Sequence, residues 1–251
     1  MPPLGTFDLY VLRCRYAERR PGAVTPNLLR GAFGSALKKI SEPDYEHYFA
    51  PRQLSKQPSG LADPPRPFVF RLPEPGLLQM NVFTTRERVH AVFQLALEQI
   101  EAFTIQTVEE EFVQMPLQPP TGSVRRLRLR FITPTELKPH GEPTFGILMS
   151  RIRDRISTLR ALWGSGPLEM DFSAFGERAA SVVRWRSDLQ HVERQRTSRR
   201  TGQTHSIGGF TGVMEFAGDL TEFIPYLEAA RYTGVGRQTV WGKGEIACET
   251  F

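Results

Sequence analysis

Pro116-Leu117-Gln118-Pro119-Pro120-Thr121-Gly122 reads as a break in the chain. Its prolines fix φ and remove backbone donors, so neither a helix nor a central strand runs through it. On its N-terminal side, Phe7–Glu18 alternates as a strand, with Phe7, Leu9 and Val11 on one face and Tyr10, Leu12 and Cys14 on the other. Leu28–Ile40 follows as a helix with an apolar stripe through Leu29, Ala32, Phe33, Ala36, Leu37 and Ile40, and Asn27 stands at the N-cap position. A polar, proline-rich connection runs from Glu42 to Pro67, with Tyr45-Glu-His47-Tyr48-Phe49 as its one apolar island. Extended runs at 67–72 and 77–84 flank the turn signal Pro73-Glu-Pro75-Gly76. A helix over 86–103 and a strand over 104–114 complete the order β-α-β-β-α-β, the ferredoxin-like plan.

Beyond the break the order repeats. A strand is expected at 124–132 and a long helix at 145–163 with Ile147, Leu148, Ile152, Ile156, Leu159 and Leu162 inward. Strands at 179–192 and 206–217 form a hairpin around an arginine-rich turn. A helix at 220–230, capped by Asp219 or Thr221, precedes a last strand at 244–251. The expected fold is α+β: two tandem ferredoxin-like (RRM-like) domains, residues 1–117 and 123–251, with a C-terminal glycine-rich loop.

That loop is Gly234-Val-Gly236-Arg237-Gln-Thr-Val-Trp241-Gly242-Lys243-Gly244. Glycines bring backbone N–H groups close to an anion, and Arg237 and Lys243 add charge. A Walker loop is excluded, because five residues rather than four separate Gly236 from Gly242 and Gly244 follows Lys243. A dinucleotide fingerprint is excluded as well, since Thr239 stands where its third glycine belongs and a strand follows. A polyanion site and a plain glycine-rich hairpin both remain.

Charge favours the polyanion. The net charge of +5 falls wholly beyond residue 115, where 19 Lys/Arg face 14 Asp/Glu, against 13 and 13 before it. All but five of the 32 basic residues are arginine, whose planar fork suits phosphate and stacks on bases. Residues 178–205 hold seven arginines, Arg194, Arg196, Arg199 and Arg200 among them, with Trp185 and His191 between. Such a hairpin is a polyanion groove or a solvated face. Arg126, Arg128 and Arg130 share one parity, so one strand face is basic while Leu127, Leu129 and Phe131 point to the core. No run of eighteen apolar residues and no basic-then-apolar leader appears, so the expected location is cytoplasmic, with no membrane partner. Cys14 and Cys248 belong to no metal spacing and read as reduced thiols. No metal and no cofactor are expected.

The residues then resemble a family. His205-Ser-Ile-Gly208-Gly209-Phe-Thr-Gly212, Asp219-Leu-Thr-Glu-Phe-Ile-Pro225 and the loop from Gly234 to Gly244 resemble the C-terminal signature of the CRISPR repeat-processing endoribonucleases of the RAMP superfamily. Arg196-Thr-Ser198-Arg199 and the helix Leu29-Arg30-Gly31-Ala32-Phe33-Gly34 are similar to further motifs of that family. Residues 60–120 carry no supporting motif, and a paired-cysteine element after the first helix is absent. The resemblance implies metal-independent cleavage of CRISPR precursor RNA. The 2′-hydroxyl attacks the adjacent phosphate and leaves a 2′,3′-cyclic phosphate, which needs a base, an acid and cations on the phosphorane.

Of five histidines, His47 is the first candidate, because family members that use a histidine often place it just after the first helix. His205, beside the Gly-Gly turn, is second and His191 third; Tyr45 is read as orienting the ribose or as the aromatic of its island. RNA contacts are expected from Arg194, Arg196, Arg199, Arg200, Gly234, Gly236, Arg237, Gly242, Lys243 and Gly244. Partners implied are CRISPR repeat RNA and crRNA, other CRISPR complex subunits and a second copy of the chain. The alternative function is a non-catalytic RAMP subunit that holds guide RNA. A DNA-binding regulator fits less well, since no helix-turn-helix with a basic recognition helix is present.

Overall fold

A computed structural model describes residues 5–51, 64–85, 89–138, 142–197 and 204–251. Strand β1 (Thr6–Glu18) leads to helix α1 (Pro26–Ile40), the single turn α2 (Glu42–Asp44) and a π-helical turn at Tyr45–Phe49. Strands β2 (Phe68–Glu74) and β3 (Leu77–Val82), helix α3 (Val89–Glu98) and strand β4 (Phe103–Pro116) follow. They build an antiparallel sheet in the order β2-β3-β1-β4.

The second half comprises β5 (Arg126–Thr135), α4 (Phe145–Trp163), α5 (Phe172–Ala180), β6 (Val183–Val192) and β9 (Gly209–Ala217). Helix α6 (Ile224–Thr233) and strand β10 (Ile246–Thr250) close it, and a short ribbon of β7 (Gln195–Thr197) with β8 (Thr204–Ser206) extends from the β6–β9 hairpin. Its sheet runs β10-β5-β9-β6. Counted within each half, both sheets therefore have the strand order 4-1-3-2, so the repeat read in the sequence is a repeat in space.

Strands β1, β2 and β3 of the first sheet carry buried residues on both faces. Tyr16 packs on Phe103, and Phe33 of α1 sits among Phe68, Phe70 and Phe93 with centroids 5.1–5.5 Å apart, so the helices cover this face. On the other face Phe7, Leu9 and Val11 are buried, and Asn81 donates to the Tyr232 carbonyl at 3.0 Å, joining the sheet to the C-terminal half. In the second sheet Leu127, Leu129 and Phe131 are buried while Arg126 and Arg130 are exposed, as the parity of β5 predicts.

Four local expectations are corrected. Thr25, not Asn27, caps α1: its hydroxyl accepts the Leu28 N–H at 3.2 Å, and Pro26 occupies the first turn, where its missing donor costs nothing. Helix α3 ends at Glu98, because the turn at Ile100 lets Phe103 start β4 opposite Glu18. The strand expected from Ala179 begins only at Val183, because α5 intervenes, capped by Asp171 with Phe175 and Ala179 inward. Asp219 and Thr221 do not cap α6. The Thr221 hydroxyl accepts the Val124 N–H, Asp219 faces Arg125, and a 3₁₀ turn (Thr221–Phe223) leads into the helix.

Candidate nucleic-acid interface and active site

Immediately after α1 and α2, the chain widens into the π-helical turn Tyr45–Phe49, closed by Ala50 N–H donating to the Tyr45 carbonyl at 2.8 Å. Such single-turn π segments recur at functional positions. The sequence explains why this one is held. Tyr48 and Phe49 are buried together, Tyr48 against Phe93 and Phe49 stacked on Phe68, and the wider turn lets consecutive residues face inward. His47 is left exposed on the rim, its ring 4.5 Å from Tyr48 and 5.2 Å from Trp163, nearly perpendicular to both. Trp163 belongs to the other half of the molecule. It donates its indole N–H to the Pro65 carbonyl at 3.1 Å, and its own carbonyl accepts the Thr85 N–H at 3.3 Å. Tyr45 is half-buried, stacked on Phe49 with the Lys38 ammonium 5.6 Å from its ring.

Cations gather around the same turn. The Arg30 guanidinium lies 5.1 Å from the Phe49 ring and 5.3 Å from the Trp241 ring, bridging α1 to the glycine-rich segment. Arg66 donates from Nε to the Phe49 carbonyl at 2.6 Å and covers the same ring. Sequence reasoning missed both. Arg30 lies inside a quoted motif, but only the fold shows that Trp241, over two hundred residues away, faces it. Arg66 sits in a segment with no periodicity to read.

The glycine-rich segment meets this turn from the C-terminal side. All four of its glycines have positive φ. At Gly244 (φ 72°) a Cβ would collide with the Val235 carbonyl, and at Gly236 (φ 82°) with the Glu136 carbonyl. Glycine here serves close backbone packing. Its cations turn inward as well: Lys243 is only 3% exposed, with Nζ 3.0 Å from both Glu136 and Gln238, and Arg237 holds the other Glu136 oxygen at 2.7 Å. Burial pushes the Glu136 carboxyl up, but the hydrogen bonds from Lys243 and Arg237 outweigh it and leave the acid below its ordinary range. Beneath the segment, Arg155 donates to the Thr233 carbonyl and the Thr239 hydroxyl. Burial and the neighbouring Arg71 charge pull its pKa down to about 10. Arg71 reaches this layer from β2, with Glu245 3.8 Å from its Nε.

The arginine-rich hairpin lies elsewhere on the C-terminal half. Arg194 is exposed and Arg196 stands opposite His205 in the β7–β8 ribbon, while Arg199 and Arg200 lie outside the described residues. His191 is exposed on β6 opposite Phe210. His90 is taken up by Glu110 at 3.0 Å and the Tyr10 ring. His47 and Tyr45 thus share one turn with Lys38, Arg30 and Arg66 beside it, and the glycine-rich segment abuts it through Trp241.

Residues 129–246 match the family model described as CRISPR-associated endoribonuclease Cas6. No curated protein matches the chain. Among solved structures, a Cas6 product complex shares 16% identity over 98% of this chain and 100% of its own, with a TM-score of 0.65. Thermus thermophilus Cas6 shares 15% over 97% and 99%, with a TM-score of 0.63. A Cas6 substrate mimic complex shares 19% over 97% and 100%, with a TM-score of 0.57. At these identities the likeness is one of fold, and it extends across both sheets. The family model is thus matched by residues 129–246 of the C-terminal half, and the fold is similar to that of the Cas6 structures over nearly the whole chain.

Proposed function

We propose that this protein cleaves CRISPR precursor RNA within its repeats, using the 2′-hydroxyl beside the scissile phosphate as nucleophile. The products are then a 2′,3′-cyclic phosphate and a 5′-hydroxyl. The observation that carries the reading is His47, an exposed imidazole fixed on a π-helical turn with Lys38, Arg30 and Arg66 around it. An imidazole titrates near neutral pH, so it can take the 2′-OH proton or return one to the 5′-oxygen. The guanidinium and ammonium groups supply the charge that a phosphorane accumulates. Because the nucleophile is built into the RNA, no external water has to be activated.

RNA is held, in this reading, by the ribbon arginines Arg194, Arg196, Arg199 and Arg200. The glycine-rich segment contributes shape: Lys243 and Arg237 brace it through Glu136, and it keeps Trp241 against Arg30. Tyr45 orients the ribose beside His47.

Incubation of the protein with the repeat RNA of its own locus in excess EDTA tests this. The expected result is one cut with a cyclic phosphate end. His47→Ala should lower the cleavage rate by about 10²–10⁴ while RNA binding persists. Wild-type rates in His47→Ala, with loss in His205→Ala, would move the acting group to the ribbon. Binding without any cut would replace the nuclease by a guide-holding subunit.

A further inference from the structure

The outer face of the second sheet takes no part in the site above, and it is built unlike a solvated surface. Its central strand β5 presents Arg126, Arg128 and Arg130, with Ile132 beyond them. Across the register, Phe251 donates its N–H to the Arg126 carbonyl, Arg126 pairs with Ala217, and Ala217 pairs with Val183. A bulge between Arg184 and Arg186 then places Trp185 at the far end of this row. Trp185 is 69% exposed and Phe251 60%. Two large rings left in water cost free energy unless something covers them.

Each ring already carries a guanidinium: Arg126 lies 5.8 Å from the Trp185 centroid and Arg128 5.6 Å from that of Phe251. Small Ala217 leaves the surface flat between them. The acids on this face are Glu215, Glu249 and Asp188. Glu215 and Glu249 engage Arg128 at 2.9 and 3.6 Å, and Glu249 reaches Arg130 at 3.9 Å. Arg126 and Arg186 form no ion pair among the described residues.

We propose that this face is a binding site for single-stranded RNA, separate from the cleavage site, in which bases stack on Trp185 and Phe251 and phosphates meet Arg126 and Arg186. Aromatic rings and guanidinium planes accept any base, because every base has a π-face. The alternation of ring and cation along one row matches the alternation of base and phosphate in an extended strand. Aromatic and arginine side chains are enriched at protein interfaces as well, but their alternation along one row favours an extended RNA strand. Strand separation of about 4.8 Å sets the row, from β10 to β6, at about 14 Å, long enough for a few nucleotides. The inference rests on the RNA reading above and adds a second contact region to it: the unpaired RNA beside a processed repeat.

The test uses the full chain with a fluorescent twelve-nucleotide oligoadenylate, measured by anisotropy across a salt series. Trp185→Ala and Phe251→Ala should each weaken binding about tenfold, within the range for loss of one stacked base, with little change in salt slope. Trp185→Phe should restore most of the affinity, and Arg126→Ala should reduce the salt slope by about one. Unchanged melting temperatures show that these exposed substitutions leave the fold intact. Wild-type affinity in both aromatic variants overturns the proposal, as does a wild type that binds the locus's repeat RNA but not oligoadenylate. A wild type that sediments as a dimer while Trp185→Ala is monomeric, with oligoadenylate affinity unaltered, overturns it in favour of an interface between copies. Failure to bind either RNA sinks the RNA reading itself.

Discussion

At the scale of single residues, the glycine-rich segment shows how a motif misleads about charge. Arg237 and Lys243 read as free cations in the sequence, yet both converge on Glu136, about a hundred residues earlier. Lys243 is 3% exposed and Glu136 18%, so each needs the other more than a surface pair would. Glu136→Gln leaves a buried ammonium without its counter-charge and should cost about 3 kcal/mol, read from urea unfolding at pH 7. The pH dependence follows from the lowered pKa of Glu136. A carboxyl whose folded value lies below its unfolded one adds stability that is complete above the unfolded value of 4.5 and fades as pH falls below it. Wild-type melting temperature should therefore drop more steeply than that of Glu136→Gln as pH falls below about 4.5. Parallel slopes would detach Glu136 from this role. His47 was singled out through the family resemblance, which places a histidine just after the first helix, and not through any periodicity of its own segment. Its partner Trp163 was not, because no local pattern shows that α4 of one half ends against the π-turn of the other.

At the scale of elements, most of the fold could be read from period and punctuation. Helix α4 was bounded residue for residue, since an apolar stripe from Phe145 to Trp163 ends at Gly164. The strand orders followed from reading β-α-β-β-α-β twice. What escaped was short: α5 has nine residues, too few for a clear period, although Asp171 and the Phe172–Phe175–Ala179 spacing carried its signal. The capping of α1 is a direct contrast. Asn27 is a favoured cap residue by type, but Pro26 is committed to the first turn, which shifts the cap back to Thr25. Thr25→Ala should cost about 1 kcal/mol and Asn27→Ala clearly less, in the same unfolding assay. The reverse order would mean that the helix begins two residues later than described. Gly244→Ala belongs at this scale too, because the added methyl meets the Val235 carbonyl and φ is 72°. Its cost should exceed the roughly 1 kcal/mol of a simple left-handed penalty.

At the scale of the whole molecule, the decisive feature is that strands β1 to β3 of the first sheet bury residues on both faces, one under the helices and one against the C-terminal half. Phe7, Leu9 and Val11 would be exposed if the halves separated, as would Asn81, which holds the Tyr232 carbonyl. Trp163 locks the junction from the other side, tied to Pro65 and Thr85 and packed on His47 and Tyr48. Two ferredoxin-like units of this size can fold as separate cooperative blocks, but a shared apolar face makes each depend on its neighbour. Calorimetric and van't Hoff enthalpies of the wild type should therefore agree within error. Trp163→Ala removes a large buried ring and a hydrogen bond, about 3–5 kcal/mol, and takes it from the junction alone. The variant should unfold in two steps and cleave repeat RNA slowly, with His47 present but no longer held. Trp163→Phe keeps a ring and should retain the single transition while losing the Pro65 hydrogen bond. If Trp163→Ala still melts in one transition with full cleavage, the junction and the site are independent, and His47 owes its placement to the π-turn alone.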